Sequence, residues 1–383
     1  MSELVLPYCT NVLITGATGF VGRHILYELV NIFTKNMCPG KIYVLLRSKA
    51  SHSFKERIEH ILKHDYAPEY FKSFSYAAIL ERIELIEGSL NDSNLGMKMM
   101  KAIPENEKLY VIHSAGSVNL FDNKKAEEEV NYNNWNGTKN LLSSLKVFNY
   151  KFIYISTAFS CGIVSGMVGD DFSKYKEKIF RNPYEKYKNL IETMVQEYCG
   201  HNEKEYQILR PSVVCGRLLD SSLYYTSKFD VIYGWAKFFW SLKQQGSNEH
   251  IRVHMSANSK INIVPVDFVA KSVVSLFAAS PKQVNITYPQ SLMNRSLYGQ
   301  MLNVIEYLNY SFVDEKPANL NKSEKIYYRL IDKVYNPYLN HCDNDYDNET
   351  LLKAIDREFM TTIDLNSLTR FAISNNFDEL QVN

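Results

Sequence analysis

No stretch of this 383-residue chain reaches eighteen consecutive apolar residues, so no transmembrane helix is expected. The opening residues, MSELVLPYCTN, lack the basic start and long apolar core of a signal peptide. An excess of one charge is also missing. Lys and Arg number 43 against 42 Asp and Glu, a net charge of +1. That removes the electrostatic argument for a nucleic-acid partner. The six cysteines, Cys9, Cys38, Cys161, Cys199, Cys215 and Cys342, show no CxxC pair and no disulfide-framework spacing. Reduced thiols in a cytoplasmic protein are the simplest reading. What the chain has in abundance is aromatic side chains, at 13% with 27 Tyr and 20 Phe. They point to a thick apolar interior or an apolar pocket without choosing between them.

Short apolar runs alternate with helical patterns through the first half. Strands are expected at 11–15, 42–46, 83–86, 109–113, 152–156 and 206–209, and helices near 20–34, 54–64, 124–148 and 184–200. This alternation argues for an α/β fold, a Rossmann-type doubly wound parallel sheet with helices on both faces. From about residue 217 the pattern changes, which suggests a smaller, mainly helical C-terminal substrate lobe. The expected division is a nucleotide-binding domain over 1–216, rejoined by 259–284, and a substrate lobe from 217–258 and 285–383.

TGATGFVG, residues 15–22, follows the first expected strand and opens the first expected helix. Glycines at 16, 19 and 22 let the backbone turn tightly and bring helix N–H groups to a pyrophosphate. The second strand ends in Leu46-Arg47, with Ser48 and Lys49 after it and no acid nearby. A carboxylate there would suit the ribose of NAD, whereas arginine suits the 2′-phosphate of NADP, so NADPH is the expected cofactor.

Tyr184 and Lys188 stand four apart at a helix start and share one face. Ile155-Ser-Thr157 ends a strand, at the edge where ligands bind in such sheets. Hydride attack on a carbonyl leaves negative charge on oxygen. Tyr184 can protonate it, Lys188 is expected to lower the phenol's pKa, and the Thr157 hydroxyl can bond the same oxygen.

Together these segments resemble the extended short-chain dehydrogenases/reductases, and among them the fatty acyl-CoA reductases and thioester reductase domains. The matching pieces after TGATGFVG are KIYVLLR (41–47), VIHSAGSVN (111–119), NWNGTKNLL (134–142), FIYISTAFSCG (152–162), NPYEKYKNLIE (182–192), ILRPSVVCG (208–216) and INIVPVDFVAKSV (261–273). A helical insertion between the second and third strands and the HSAGSVN segment favour the thioester-reducing branch. The resemblance implies a triad of Thr157, Tyr184 and Lys188. Cofactor contacts are expected from Gly16, Thr18, Gly19, Phe20, Val21, Gly22, Arg47, Lys49, Ser114, Ala115, Gly116, Asn134, Lys188, Pro211 and Val213. It implies NADPH-dependent reduction of an acyl thioester, on coenzyme A or a carrier-protein phosphopantetheine arm, to an aldehyde or onward to an alcohol. Two rivals are an extended reductase or epimerase of a nucleotide sugar or small ketone, and an NADP-sensing protein without turnover. Two departures stand out. Ser89 replaces an aspartate that often helps hold the adenine, and Tyr187, in place of a small residue, is expected to crowd the nicotinamide.

Other patterns fit no site. His60/His64 and His250/His254 read as solvated helix faces, lacking the glutamate of a zinc protease helix. DNDYDNETLLKA, 343–354, lacks the glycine and final glutamate of a calcium loop. Asp347 or Asn348 is expected to cap a helix from Leu351 instead. Cys161 reads as a buried small hydrophobe. The aromatic stretch 229–242 fits three roles: core, the wall of an acyl tunnel, or a membrane-facing helix.

Overall fold

Seven short runs become one all-parallel sheet in a computed structural model that describes residues 10–49, 52–63, 65–175 and 178–380. Cys9 and His64 lie outside the described residues. The strands are β1 (Asn11–Thr15), β2 (Ile42–Leu46), β3 (Ile83–Glu87), β4 (Leu109–His113), β5 (Tyr150–Ile155), β6 (Glu205–Pro211) and β7 (Gln283–Ile286). Their spatial order is β7-β6-β5-β4-β1-β2-β3. β1, β2, β4 and β5 are buried along their whole length. That is why they read as largely apolar runs rather than alternating ones. The chain order reverses between β1 and β4, and a ligand crevice is expected where the loops after those strands separate.

The helices used below are α1 (Phe20–Lys35), α2 (Phe54–Leu62), α3 (Lys124–Val130), α4 (Gly137–Ser144), α5 (Pro183–His201), α6 (Ile232–Gln244), α7 (Val266–Leu276) and α8 (Asp332–Asn340). The pattern over 124–148 predicts one helix. The structure breaks it with a π-helical turn at Asn131–Asn136 between α3 and α4. Such a turn shifts the side-chain register by one residue and often serves a site.

One apolar core forms between the sheet and α1, α2 and α7, and another between the sheet and α4 and α5. A separate core gathers α6, α8 and the helices at 294–305 and 365–374. Leu351 and Ile355 pack back into the first core, although 285–383 was expected wholly in the second lobe. Lys271 on α7 ties α1 to the 217–220 turn, through Glu28 at 2.8 Å and Asp220 at 3.1 Å. Among the described residues no helix is long and apolar enough to cross a membrane.

One local expectation is corrected and two are made specific. His250 precedes a strand, Ile251–His254, that His254 ends and that pairs with Tyr310–Val313, so the two do not share a helix face. The helix near 351 begins at Glu349. Asp347 takes its N–H at 3.0 Å, while the Asn348 amide donates to the Thr287 carbonyl. Trp235 and Phe239 of α6 are fully buried, so the aromatic stretch is chiefly core.

Candidate active site

The crevice between the β1 and β4 loops opens into a cavity of about 250 Å³. Its first wall is the glycine elbow. Gly16 has φ +75°, and a Cβ there would sit 2.5 Å from the Ala115 backbone nitrogen. A Cβ at Gly22 would sit 2.2 Å from the Gly16 carbonyl oxygen. Glycine at both positions lets the β4 loop and the start of α1 close on the same turn. No side chain caps α1 and no acid lies in its first turn. The Gly19 N–H is given to the Gly16 carbonyl at 2.9 Å, and the free N–H groups of Phe20, Val21 and Gly22 belong to residues that border the cavity.

Ser114 and Gly116 of the next loop line the cavity as well. Asn134 holds that loop instead of reaching the cavity. Its amide accepts from the Ser117 N–H at 2.6 Å and donates to the Ser117 carbonyl at 2.9 Å. The π-helical turn brings it there, which corrects its expected place among the cofactor contacts. His113 braces the same loop, each ring nitrogen sharing a hydrogen bond with a threonine hydroxyl, Thr15 at 2.7 Å and Thr138 at 2.9 Å. Burial holds its pKa down at about 3, so it is neutral.

The opposite wall carries the expected triad. Asn182 caps α5, its side chain accepting from the Glu185 N–H at 3.1 Å, and Pro183 fills the first helical position. Tyr184 is thereby fixed on the first turn and Lys188 one turn on. Both line the cavity with Thr157. The Lys188 ammonium donates to the Ile155 carbonyl at 2.7 Å and lies 5.8 Å from the Tyr184 ring centre and 4.7 Å from that of Tyr154. Burial lowers its pKa to about 8, against the upward pull of Glu192. The expected lowering of the Tyr184 phenol is not found. Burial raises it, and the charges of Glu185 and Asp230 raise it further. At neutral pH Tyr184 therefore carries its proton and is ready to give it.

If the Lys188 charge is required, activity is lost as pH rises through about 8, because deprotonation removes the cation. A pH profile of kcat/KM that stays flat from 7 to 9 would show that the charge is not needed.

The remaining expected residues divide. Pro211 and Val213 line the cavity. Gly16, Thr18, Ala115, Arg47 and Lys49 do not border it. Thr18 and Arg47 meet at a residue that the sequence reading missed, Arg57 of α2. Its guanidinium donates to the Thr18 hydroxyl at 3.1 Å and to the Arg47 carbonyl. Arg57 is buried, forms no ion pair among the described residues, and its Nε has no hydrogen-bond partner. Lys49 is exposed, its backbone pairing with that of His52. Ser89 gives its N–H to Asp92 at 3.0 Å, and its hydroxyl accepts from the Asn91 N–H at 3.4 Å. Tyr187 turns away from the cavity and packs edge-on against Trp135, so it does not crowd the site. Cys161 is buried, and burial pushes its thiol up to about 12.

The substrate side was scarcely visible in sequence. Lys228, Asp230 and Val231 line the cavity, joined by Glu185 and by Tyr338 of α8. The Tyr338 hydroxyl donates to Glu185 at 2.7 Å and accepts from Asn182 at 2.7 Å. The C-terminal part thus locks onto the turn that carries Tyr184.

Comparison with known proteins places this geometry. Over 188 residues the chain is 29% identical to the putative fatty acyl-CoA reductase CG8306 of Drosophila melanogaster, covering 48% of this chain and 34% of that protein. The chain spans about a third of the length of the curated fatty acyl-CoA reductases it matches. Among solved structures, the terminal R domain of the myxalamid PKS-NRPS biosynthetic pathway superposes with a TM-score of 0.66 at 18% identity, over 97% of this chain and 93% of that one. UDP-glucuronic acid 4-epimerase from Bacillus cereus, in complex with NAD, superposes at 0.59 and 15% identity, over 94% of each. At such identities the structures share the fold alone. The sequence profile described as Male sterility protein (NAD_binding_4) matches residues 14–273. By that match, over more than half its length, the chain belongs to the male sterility protein family.

Proposed function

We propose that this protein uses NADPH to reduce an acyl thioester, carried on coenzyme A or a phosphopantetheine arm, to an aldehyde and a free thiol. The observation that carries the reading is the shared cavity, which has the uncapped helix of the glycine elbow on one wall and Thr157, Tyr184 and Lys188 on the other. The fatty acyl-CoA reductase relatives favour a thioester over a sugar.

The residues present fit a dinucleotide. The close approach at Gly16 and Gly22 leaves the α1 N-terminus unobstructed for a pyrophosphate. The buried, unpaired Arg57 beside Thr18 and Arg47 supplies positive charge for a 2′-phosphate. When bound, NADPH supplies the hydride that adds to the thioester carbon. Thr157 and Tyr184 hold the carbonyl oxygen, and Tyr184 gives it a proton as charge develops. Lys188 stabilises the phenolate left behind. The phenolate then takes the proton back from the hemithioacetal hydroxyl, the C–S bond breaks, and the thiolate leaves and takes up a proton. The balance is thioester, NADPH and one proton giving aldehyde, thiol and NADP⁺.

Absorbance at 340 nm tests the reading, with acyl-CoA, an acylated carrier protein and a nucleotide sugar offered separately. NADPH oxidation with a thioester is expected, and oxidation only with the sugar would overturn it. Cofactor choice is tested at Arg57. Arg57→Ala is expected to raise the KM for NADPH about 10- to 100-fold, from the loss of a charged hydrogen bond, with a much smaller change for NADH. An equal change for both cofactors would remove Arg57 from 2′-phosphate recognition.

A further inference from the structure

Charged side chains share the cavity with apolar ones such as Val118, Leu120 and Phe159. The aromatic helix that could have walled an apolar tunnel is spent on the core. Trp235 and Phe239 are fully buried, and the Trp235 Nε1 donates to Tyr327 at 3.0 Å. The loop before it instead presents Lys228, Asp230 and Val231, facing Glu185 and Tyr338.

The two carboxylates there are in different states. Glu185 is satisfied by the Tyr338 hydroxyl and by the Arg181 backbone and guanidinium. Asp230 is open to the cavity. Among the described residues no ion pair and no side-chain hydrogen bond from another residue reaches it. Lys228, two residues away on the same wall, influences it without pairing to it. Asp230 and Tyr184 line the same cavity, and the Asp230 charge adds to the rise of the Tyr184 phenol. Loss of solvent raises its own pKa, a cost that a bound cation would offset. The next residue, Val231, holds φ +50° and ψ −115°, a conformation costly for a β-branched side chain. The loop bears that strain while placing an unpaired acid in the substrate space.

We propose that the acyl group taken by this site carries a protonated amine within a few bonds of its thioester, held by the Asp230 carboxylate. The inference rests on the thioester-reductase reading above and specifies its substrate class. Asp230 is exposed in the free protein, and a charge-assisted hydrogen bond to it favours such a group over an uncharged isostere that leaves the acid unpaired.

The test uses the full chain with saturating NADPH and two isosteric pairs, glycyl- against propionyl-CoA and β-alanyl- against butyryl-CoA. The wild type is expected to favour the amine-bearing member of each pair by about 10- to 100-fold in kcat/KM, the range of a charged hydrogen bond. Asp230→Asn should collapse that ratio toward one, and Asp230→Lys should instead favour succinyl-CoA over butyryl-CoA. Equal or better use of the uncharged thioesters by the wild type overturns the inference while leaving thioester reduction standing. An unchanged ratio in Asp230→Asn does the same. If none of the four is reduced while NADPH binding is seen by fluorescence, this inference falls, and the thioester reading is decided by the acyl-CoA, carrier-protein and sugar assay above.

Discussion

Tyr184→Phe is expected to slow NADPH-dependent thioester reduction by about 1,000-fold while NADPH still binds nearly as in the wild type. The change removes one hydroxyl and leaves the ring, so the cavity wall keeps its shape. Asn182 and Pro183 still start α5, and Lys188 still donates to the Ile155 carbonyl. What is lost is the proton given to the carbonyl oxygen. Thr157 remains and can hold that oxygen, so a residual rate is expected rather than none. Steady-state rates at 340 nm and a fluorescence titration with NADPH separate the two effects. Turnover within tenfold of the wild type would refute the role given to Tyr184.

The second large effect is on stability and falls on Glu192, one turn beyond Lys188 on α5. Its carboxylate accepts from the guanidinium of Arg210, from Nε at 3.1 Å and from Nη2 at 2.8 Å. It also accepts from the hydroxyls of Ser156 and Ser160. Arg210 is fully buried in β6 and Glu192 nearly so. Glu192→Ala leaves a buried guanidinium without its carboxylate, a loss of about 3–5 kcal/mol. Ser156 and Ser160 flank Thr157, so the end of β5 should loosen and kcat fall as well. Urea unfolding followed by circular dichroism measures the stability change. A loss below about 1 kcal/mol would show that the pair is not the anchor described. Glu192→Gln, which keeps the shape and one acceptor, should lose less.

Much of this fold is legible because its strands are buried on both faces. The runs at 11–15, 42–46 and 109–113 match β1, β2 and β4 residue for residue, since a strand covered on both sides reads as a near-continuous apolar run even with Asn11, Thr15 and His113 at the ends. The glycine turn is legible for a similar reason, as only glycine tolerates the approach at Gly16 and Gly22. Local sequence is silent about contacts between distant segments. Arg57 reads as one cation on an amphipathic helix, and only the folded chain sets it against Thr18 and Arg47. Tyr338 lies far along the chain from Glu185. Asp230 is hidden by the aromatic residues that follow it. The π-helical turn has no pattern of its own, so Asn134 was assigned to the cofactor instead of to Ser117.

The most direct test is to run the reaction with NADPH deuterated at the transferring C4 position and to analyse the products by mass spectrometry. The account predicts an aldehyde carrying one deuterium on its carbonyl carbon, with one thiol released per NADPH oxidised. Thiol released without NADPH oxidation, or an aldehyde free of deuterium, would contradict it.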